Sequence, residues 1–322
     1  MLTEASSPAL RVSLDAALHA WEEELSEPCA GAAIPRTIHQ TFPARAMPVV
    51  LEQNLAKIKS LNPGWEHRLY DDADIVEFIR SGYGPRVLAQ YERINPKYGA
   101  ARADLFRYLL MYRVGGVYLD IKSTLRRPLD EVLLPEDVYV LSYWRGARFR
   151  GWGDYRILRP FGGREFQQWH IIAAAGHPFL RAVVARVLNH LETYNPLIHG
   201  TGRMGVNWST GPIAYTLAIG PLLARHRHRI VGGHDELGLE YTVFGAADGA
   251  HKSVFRHHYS DLTEPVVRLR GARKLAWSLL GPIKVHLVYR LQRIHAAIAR
   301  RISRVCKVGV RGLSVRGRRG RL

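Results

Sequence analysis

The sequence predicts one large α/β domain built on a mostly parallel sheet, and three observations predict it. Residues 98–122, YGAARADLFRYLLMYRVGGVYLDIK, pass from a helical pattern through a glycine pair into a short apolar strand. Short apolar runs alternate with longer periodic segments along most of the chain, the signature of strands connected by helices. The 322 residues, 47% hydrophobic and 23% charged, suffice for one full core and match a soluble globular composition.

The elements follow in order. Leu14, Leu18, Trp21 and Leu25 recur at helical spacing, so residues 1–30 read as a helical lead-in, closed by the small-residue linker Ala30–Ala33. Ile34 to Pro43 reads as a strand and the loop leaving it. A helix over 49–60 is followed by the Asn62-Pro63-Gly64 turn and a strand toward Tyr70. Asp71 or Asp72 caps the next helical pattern, 73–95. Ala100, Ala103, Phe106, Leu110 and Val114 mark an amphipathic helix that Gly115-Gly116 ends, because glycine accepts the positive φ of a helix C-terminus. Val117–Leu119 then forms a strand. Asp137–Trp144 and Gln168–Ala174 read as further strands. Gly176-His177-Pro178 opens a helix to about Tyr194, Thr210-Gly211-Pro212 starts another, and Lys252–Arg256 reads as a last strand before His257-His258.

Strand Val117–Leu119 delivers Asp120 at its carboxyl end, where open α/β sheets bind ligands. Arg102, Asp104 and Arg107 precede it on the helix. Arginines there suit phosphates, and carboxylates accept hydrogen bonds from sugar hydroxyls, so the set fits an anionic sugar nucleotide.

This stretch resembles the DXD-type glycosyltransferases of family 32, which include yeast initiating mannosyltransferases and bacterial polysaccharide enzymes. More distantly it resembles the glucosylating domains of large clostridial toxins. The family pattern a-R-A-D-x-x-R-y-x-x-L-y-x-x-G-G-x-Y-x-D-x-D is met by Ala101-Arg102-Ala103-Asp104, Arg107-Tyr108, Leu110, Tyr112, Gly115-Gly116, Tyr118 and Asp120. Ile34–Pro43 is similar to the family's first strand, IPKIIHQTW, with Phe42 at the tryptophan position, either stacking on a base or buried at the strand end. Asn62–Asp72 and Thr210-Gly211-Pro212 match further family runs.

The resemblance implies a GT-A-like fold over 31–265 and transfer of a sugar from a nucleotide-sugar donor, with retention, to a glycan or lipid-linked hydroxyl. It implies catalytic roles for Asp104, Arg107, Asp120 and Lys122, and donor contacts from Ile38, Gln40, Phe42, Arg102, Gly115, Gly116, Tyr118, Thr210 and Gly211. The implied setting is cell-surface polysaccharide synthesis. The competing class is a membrane-associated adaptor that kept the fold and lost activity. Acceptor and linkage depend on loops such as 145–165 and 195–210, which carry no readable code.

One position departs from the pattern: the last aspartate of the motif is Lys122. Mn²⁺ and Mg²⁺ prefer hard oxygen ligands, and an ammonium cannot coordinate them. Either Asp120 holds a divalent cation with other ligands, His257 or His258 among them, or Lys122 neutralises the diphosphate as a point charge. The blander readings are a surface histidine pair and a Lys122 that points to the outer face of the strand.

The net charge of +18 is unevenly placed. No acidic residue follows Glu264, and sixteen Lys and Arg lie from Arg268 onward, leaving the preceding body at about +2. Leu280, Ile283, Leu287, Leu291, Ile294, Ile298, Ile302 and Val305 form a helical stripe with the cations mostly off it, as in a helix lying on an anionic membrane surface. The same stripe would suit packing on the domain. Nucleic acid ranks last, because no recognised nucleic-acid module accompanies the basic tail (266–322). Two cysteines, no evident signal peptide and no long apolar run suggest a cytoplasmic protein, peripheral at the inner membrane face.

Overall fold

In a computed structural model of the chain, the described residues are 8–26, 28, 31–44, 46–146, 149–232, 235–244 and 259–287. The expected strand at 252–256, His257, His258 and the tail beyond 287 lie outside them. The chain forms two compact units, residues 1–195 with 199–268, and residues 196–198 with 269–322.

The first unit opens with α1 (Pro8–Ala20), β1 (Thr37–Thr41), α2 (Val49–Leu61), β2 (Glu66–Tyr70) and α3 (Asp72–Arg93). Next come α4 (Gly99–Val114), β3 (Gly116–Leu119), β4 (Thr124–Leu125), α5 (Leu129–Val132), β5 (Tyr139–Ser142) and β6 (His170–Ala173). After them run α6 (Pro178–Thr193), α7 (Pro196–His199, whose first three residues belong to the second unit), α8 (Gly202–Ser209), α9 (Pro212–Ile219), β7 (Arg229–Val231) and β8 (Leu239–Glu240). Six strands form one sheet in the order β2-β1-β3-β6-β5-β7, and β4 pairs with β8. All neighbours in the large sheet run parallel except β6, which is antiparallel to both β3 and β5. The α/β fold with a mostly parallel sheet is therefore the one the sequence predicts.

Local chemistry sets the element ends. Asp71 caps α3 in a reciprocal box: its carboxylate accepts from the Ala73 and Asp74 amides, and Asp74 accepts from the Asp71 amide. Gly84, at φ 76°, kinks α3, and Pro85 restarts it. His177 caps α6 through Nδ1, which accepts from the Phe179 amide, with Pro178 in the first turn.

Helix α4 departs from expectation. It is buried almost all round, from Asp104 through Tyr112, rather than amphipathic. The periodic apolar positions gave one face, but α3, β3 and α6 all pack against it, so even its polar side chains must find partners inside.

Burial also sets a pH dependence. It pulls His39, His67, His177 and His190 down to about 4, and pushes Asp104 up to about 6 and Glu165 up to about 7. Near pH 5 the unfolded chain binds protons on these four histidines that the folded chain refuses. The folded chain in turn holds protons on the two carboxyls that the unfolded chain has mostly lost. The unfolded state binds more, so stability falls as pH drops. Tm at pH 5 is expected to lie on the order of 5 °C or more below that at pH 7; a Tm that held or rose would contradict these burials.

Candidate functional site

The parallel register of Ile38 with Val117 and His39 with Tyr118 brings the carboxyl ends of β1 and β3 side by side. On its other edge β3 meets the reversed strand β6. From β1 the chain adds β2 on one side and β3 on the other, so strand order reverses between β1 and β3, the position at which open α/β sheets leave a crevice. A cavity of about 400 Å³ opens there. Thr41 lines it from β1 and Phe42 and Pro43 from the loop after it, Tyr118 from β3, Asp120, Ile121 and Lys122 from the turn that follows β3, and Ala100, Arg102, Ala103 and Arg107 from α4.

Arg107 organises the floor. Its Nη2 lies 3.2 Å from Asp104 Oδ1 and 2.9 Å from Asp120 Oδ1. Nη1 donates to the carbonyl oxygen of Gln168 at 2.6 Å and to its Oε1 at 2.7 Å. The guanidinium sits over the Tyr118 ring, 4.9 Å from its centroid. Asp104 also accepts from Thr210 Oγ1 at 2.8 Å and Gln168 Nε2 at 3.3 Å. Every polar edge of the buried pair is thus engaged, which a buried ion pair requires. Burial pushes the Asp104 carboxyl up to about 6, against the pull of Arg107 and Thr210. Burial likewise opposes the charge on Arg107, but Asp120 foremost, with Tyr118 and Asp104, raises its pKa above the usual arginine value.

Asp104 and Arg107 side chains are each 4% exposed, whereas Asp120 keeps 22%. A ligand in the cavity meets Asp120 and the edge of Arg107 first. Asp104, expected to touch the donor, stands behind Arg107 and positions it. Helical spacing explains why the two meet, since residues three apart share a face. Asp120 arrives from the strand end, its amide donating to the Trp169 carbonyl at 2.8 Å.

The other expected residues divide. Phe42, Arg102, Tyr118 and Lys122 line the cavity. Phe42 also packs against the cluster of Leu51, Leu55 and Ile121, so both of its expected roles have a place. Ile38, Gln40, Gly115, Gly116, Thr210 and Gly211 do not line it. Ile38 turns from β1 into the core, and Gln40 reaches His67 at 2.9 Å and the Asp120 carbonyl at 3.4 Å. Gly115 and Gly116 press against β6 and β1 backbone, and Thr210 holds Asp104. These residues shape the wall without facing its interior. The strand ends at Leu119, so alternation no longer governs Lys122: a turn closed by the Ser123 amide on the Asp120 carbonyl, 2.8 Å, brings 120 and 122 to one cavity.

Sequence reasoning missed Gln168, Tyr241 and Tyr259. Gln168 clasps Arg107 from 61 residues away, Tyr241 accepts from Lys122 Nζ at 2.8 Å, and Tyr259 lines the cavity. No local pattern marks any of them.

Residues 48–139 match the family described as "Glycosyltransferase sugar-binding region containing DXD motif". The matched segment is thus similar to a DXD-type glycosyltransferase sugar-binding region. It includes α4, β3 and the Asp104–Arg107–Asp120 cluster, in keeping with the family-32 resemblance. Inositol phosphoceramide mannosyltransferase 3 of Schizosaccharomyces pombe is 31% identical over 182 residues, 56% of this chain and 44% of that protein. Initiation-specific alpha-1,6-mannosyltransferase of Candida albicans is 30% identical over 173 residues, 48% of this chain and 43% of that protein. The chain thus spans less than half the length of these relatives. The solved PaToxG glycosyltransferase is similar at a TM-score of 0.43 and 12% identity, over 78% of this chain and 97% of that one.

A DXD region implies a divalent cation, and the donor set here does not fit one well. Asp120 Oδ1 is committed to Arg107, and the second motif position presents an ammonium. Among the described residues no group of three His, Cys, Asp or Glu could hold a metal ion.

Proposed function

We propose that the chain transfers a sugar, with mannose the first candidate, from a nucleotide-sugar donor to a hydroxyl of a glycan or lipid-linked glycan. The observation that carries this reading is the Arg107 clasp between Asp104 and Asp120 on the floor of the β1/β3 crevice. It presents the Asp120 carboxylate, 22% exposed, for sugar hydroxyls, fixed by Arg107 before the donor arrives. Fixed charges need no reorganisation as the transition state forms, which is where electrostatic catalysis acts. The mannose choice rests on the named activities of the relatives.

In the reaction the bond from the anomeric carbon to the diphosphate oxygen breaks, and its electron pair stays on the diphosphate. The acceptor hydroxyl oxygen bonds the anomeric carbon. With retention, its proton passes to the departing diphosphate oxygen, so no side chain need serve as general base. Purified protein is expected to hydrolyse at least one member of a nucleotide-sugar panel that includes mannosyl donors. Absence of both hydrolysis and binding across the panel would favour the adaptor reading instead.

We further propose that the chain works at the cytoplasmic face of a membrane in cell-surface polysaccharide synthesis, held there by its basic end. In the second unit, helix 271–287 exposes Leu275, Leu279, Leu280, Ile283 and Leu287, with Arg273, Lys274 and Lys284 interspersed. Lys284 Nζ donates to the carbonyls of Pro196 and Leu197 at 2.9 and 2.7 Å, so that cation is used within its own unit. No helix of the described residues is long and apolar enough to cross a membrane. An apolar stripe flanked by cations suits an anionic lipid surface. The full chain is expected to float with phosphatidylglycerol vesicles and much less with phosphatidylcholine, and Ile283→Glu with Leu279→Glu should weaken flotation at least tenfold. Equal flotation with both lipids would remove the electrostatic part of this reading.

A further inference from the structure

We infer that Lys122 and Arg102 together supply the positive charge that a divalent cation supplies in a two-carboxylate site, so that the donor's diphosphate is held without metal. The inference rests on the glycosyl-transfer reading and adds the means of holding and releasing the leaving group.

Arg107 is a single cation clasped by two carboxylates, Asp104 and Asp120, and so brings no surplus positive charge to a ligand. Lys97, also at the cavity, is paired with Glu264. Lys122 and Arg102 line the same cavity, and neither forms an ion pair among the described residues. A nucleoside diphosphate sugar carries one negative charge on each phosphate, and these two side chains offer one cation per phosphate in a cavity whose other charges, the net −1 of the Arg107 clasp and Asp72, are not positive.

Both cations are preorganised. Lys122 Nζ donates to the Tyr241 hydroxyl at 2.8 Å and lies 4.1 Å from the centre of the Tyr241 ring. Tyr241 thus fixes the ammonium without neutralising it. One of the three N–H groups goes to the hydroxyl, which leaves donors for phosphate oxygens. Arg102 is held in a similar way: its guanidinium sits 4.6 Å from the centre of the Tyr91 ring. Its Nε is buried and has no hydrogen-bond partner among the described residues. A buried donor without an acceptor is costly, and a phosphate oxygen in the cavity would relieve that cost.

A divalent ion near Asp120 would stand close to an ammonium held in place by Tyr241, and would compete with Arg107 for Asp120 Oδ1 at 2.9 Å. Both effects work against the metal. In the transfer step Lys122 and Arg102 change no bonds: they stabilise the electron pair left on the diphosphate oxygen as the glycosidic bond to it breaks.

The experiment measures donor hydrolysis and nucleoside-diphosphate affinity for the full chain and for Lys122→Ala, Lys122→Arg and Lys122→Asp, each with Mn²⁺, with Mg²⁺ and with EDTA. Thermal melts check that each variant is folded. Wild-type rate and affinity are expected to be the same under all three conditions. Lys122→Ala should lose about 100-fold in kcat/KM, a magnitude typical of one removed transition-state donor, and Lys122→Arg should keep most of it. Lys122→Asp should recover turnover and affinity only with Mn²⁺ or Mg²⁺. Wild-type turnover or affinity abolished by EDTA overturns the inference while leaving glycosyl transfer intact. Absence of turnover and binding under every condition overturns glycosyl transfer itself, and this inference with it.

Discussion

Arg107→Ala is expected to lower stability by about 3–5 kcal/mol, the cost of leaving a buried ion-pair partner uncompensated, and to abolish donor hydrolysis. The arginine is 4% exposed and joins Asp104, Asp120 and Gln168. Removing it leaves the Asp104 carboxylate buried with only Thr210 and Gln168 as donors, and frees Asp120 to swing from its position. Arg107→Lys separates structure from function. Lysine keeps the charge, but it lacks the planar fork that reaches Gln168 with one nitrogen and both aspartates with the other. It should fold with a smaller loss, on the order of 1–2 kcal/mol, yet still lose at least about 100-fold in turnover. Urea unfolding and donor hydrolysis on the two variants check this. Near-wild-type hydrolysis by Arg107→Lys would mean that the clasp only holds the fold.

The second large effect concerns the glycine pair, at positions where the backbone itself is the reason for the residue. Gly116 has φ 103°, and a Cβ there would lie 2.6 Å from the Thr37 carbonyl oxygen and 3.0 Å from His39 Nε2. Gly115, at φ 66°, would place a Cβ 2.6 Å from the Ala175 amide nitrogen. Backbone cannot yield as a flexible side chain can, so Gly116→Ala combines left-handed strain with overpacking between β3 and β1. A loss of roughly 3–5 kcal/mol is expected, enough to remove most of the soluble protein. Gly99→Ala, where a Cβ meets nothing within 4 Å, is the control and should fold normally. A Gly116→Ala variant melting within 2 °C of wild type would show that β1 and β3 are not as close as described.

These two positions also show how much was legible beforehand. The i,i+3 spacing of Asp104 and Arg107, the glycine stop and the strand-end Asp120 all lie within 17 residues. Local rules govern such a segment, and they placed all three. The burial of α4 was not legible, because hydrophobic periodicity reports the most apolar face and is silent on whether the opposite face meets solvent or protein. The expected loop at 195–210 is α7 and α8 instead. Its glycines and Asn207 mask helical periodicity, yet Gly202 and Gly205 are needed there for close approach to Ser260, Leu262 and Gly200. Gln168 and Tyr241 were unreadable for a different reason. They reach Arg107 and Lys122 across 61 and 119 residues, and only the order of strands in the sheet brings them together. Ile38, Gln40, Thr210 and Gly211 lie in stretches that match the family, but burial puts them in the wall behind the cavity.

On this reading the Arg107 clasp presents a donor-binding cavity at the ends of β1 and β3. Calorimetric titration of a nucleotide-sugar panel into the full chain and into its Arg107→Lys variant tests it most directly. The wild type is expected to bind at least one donor saturably, and the folded variant to lose at least about tenfold in affinity. Binding that is absent from the wild type, or identical in the two proteins, would contradict it.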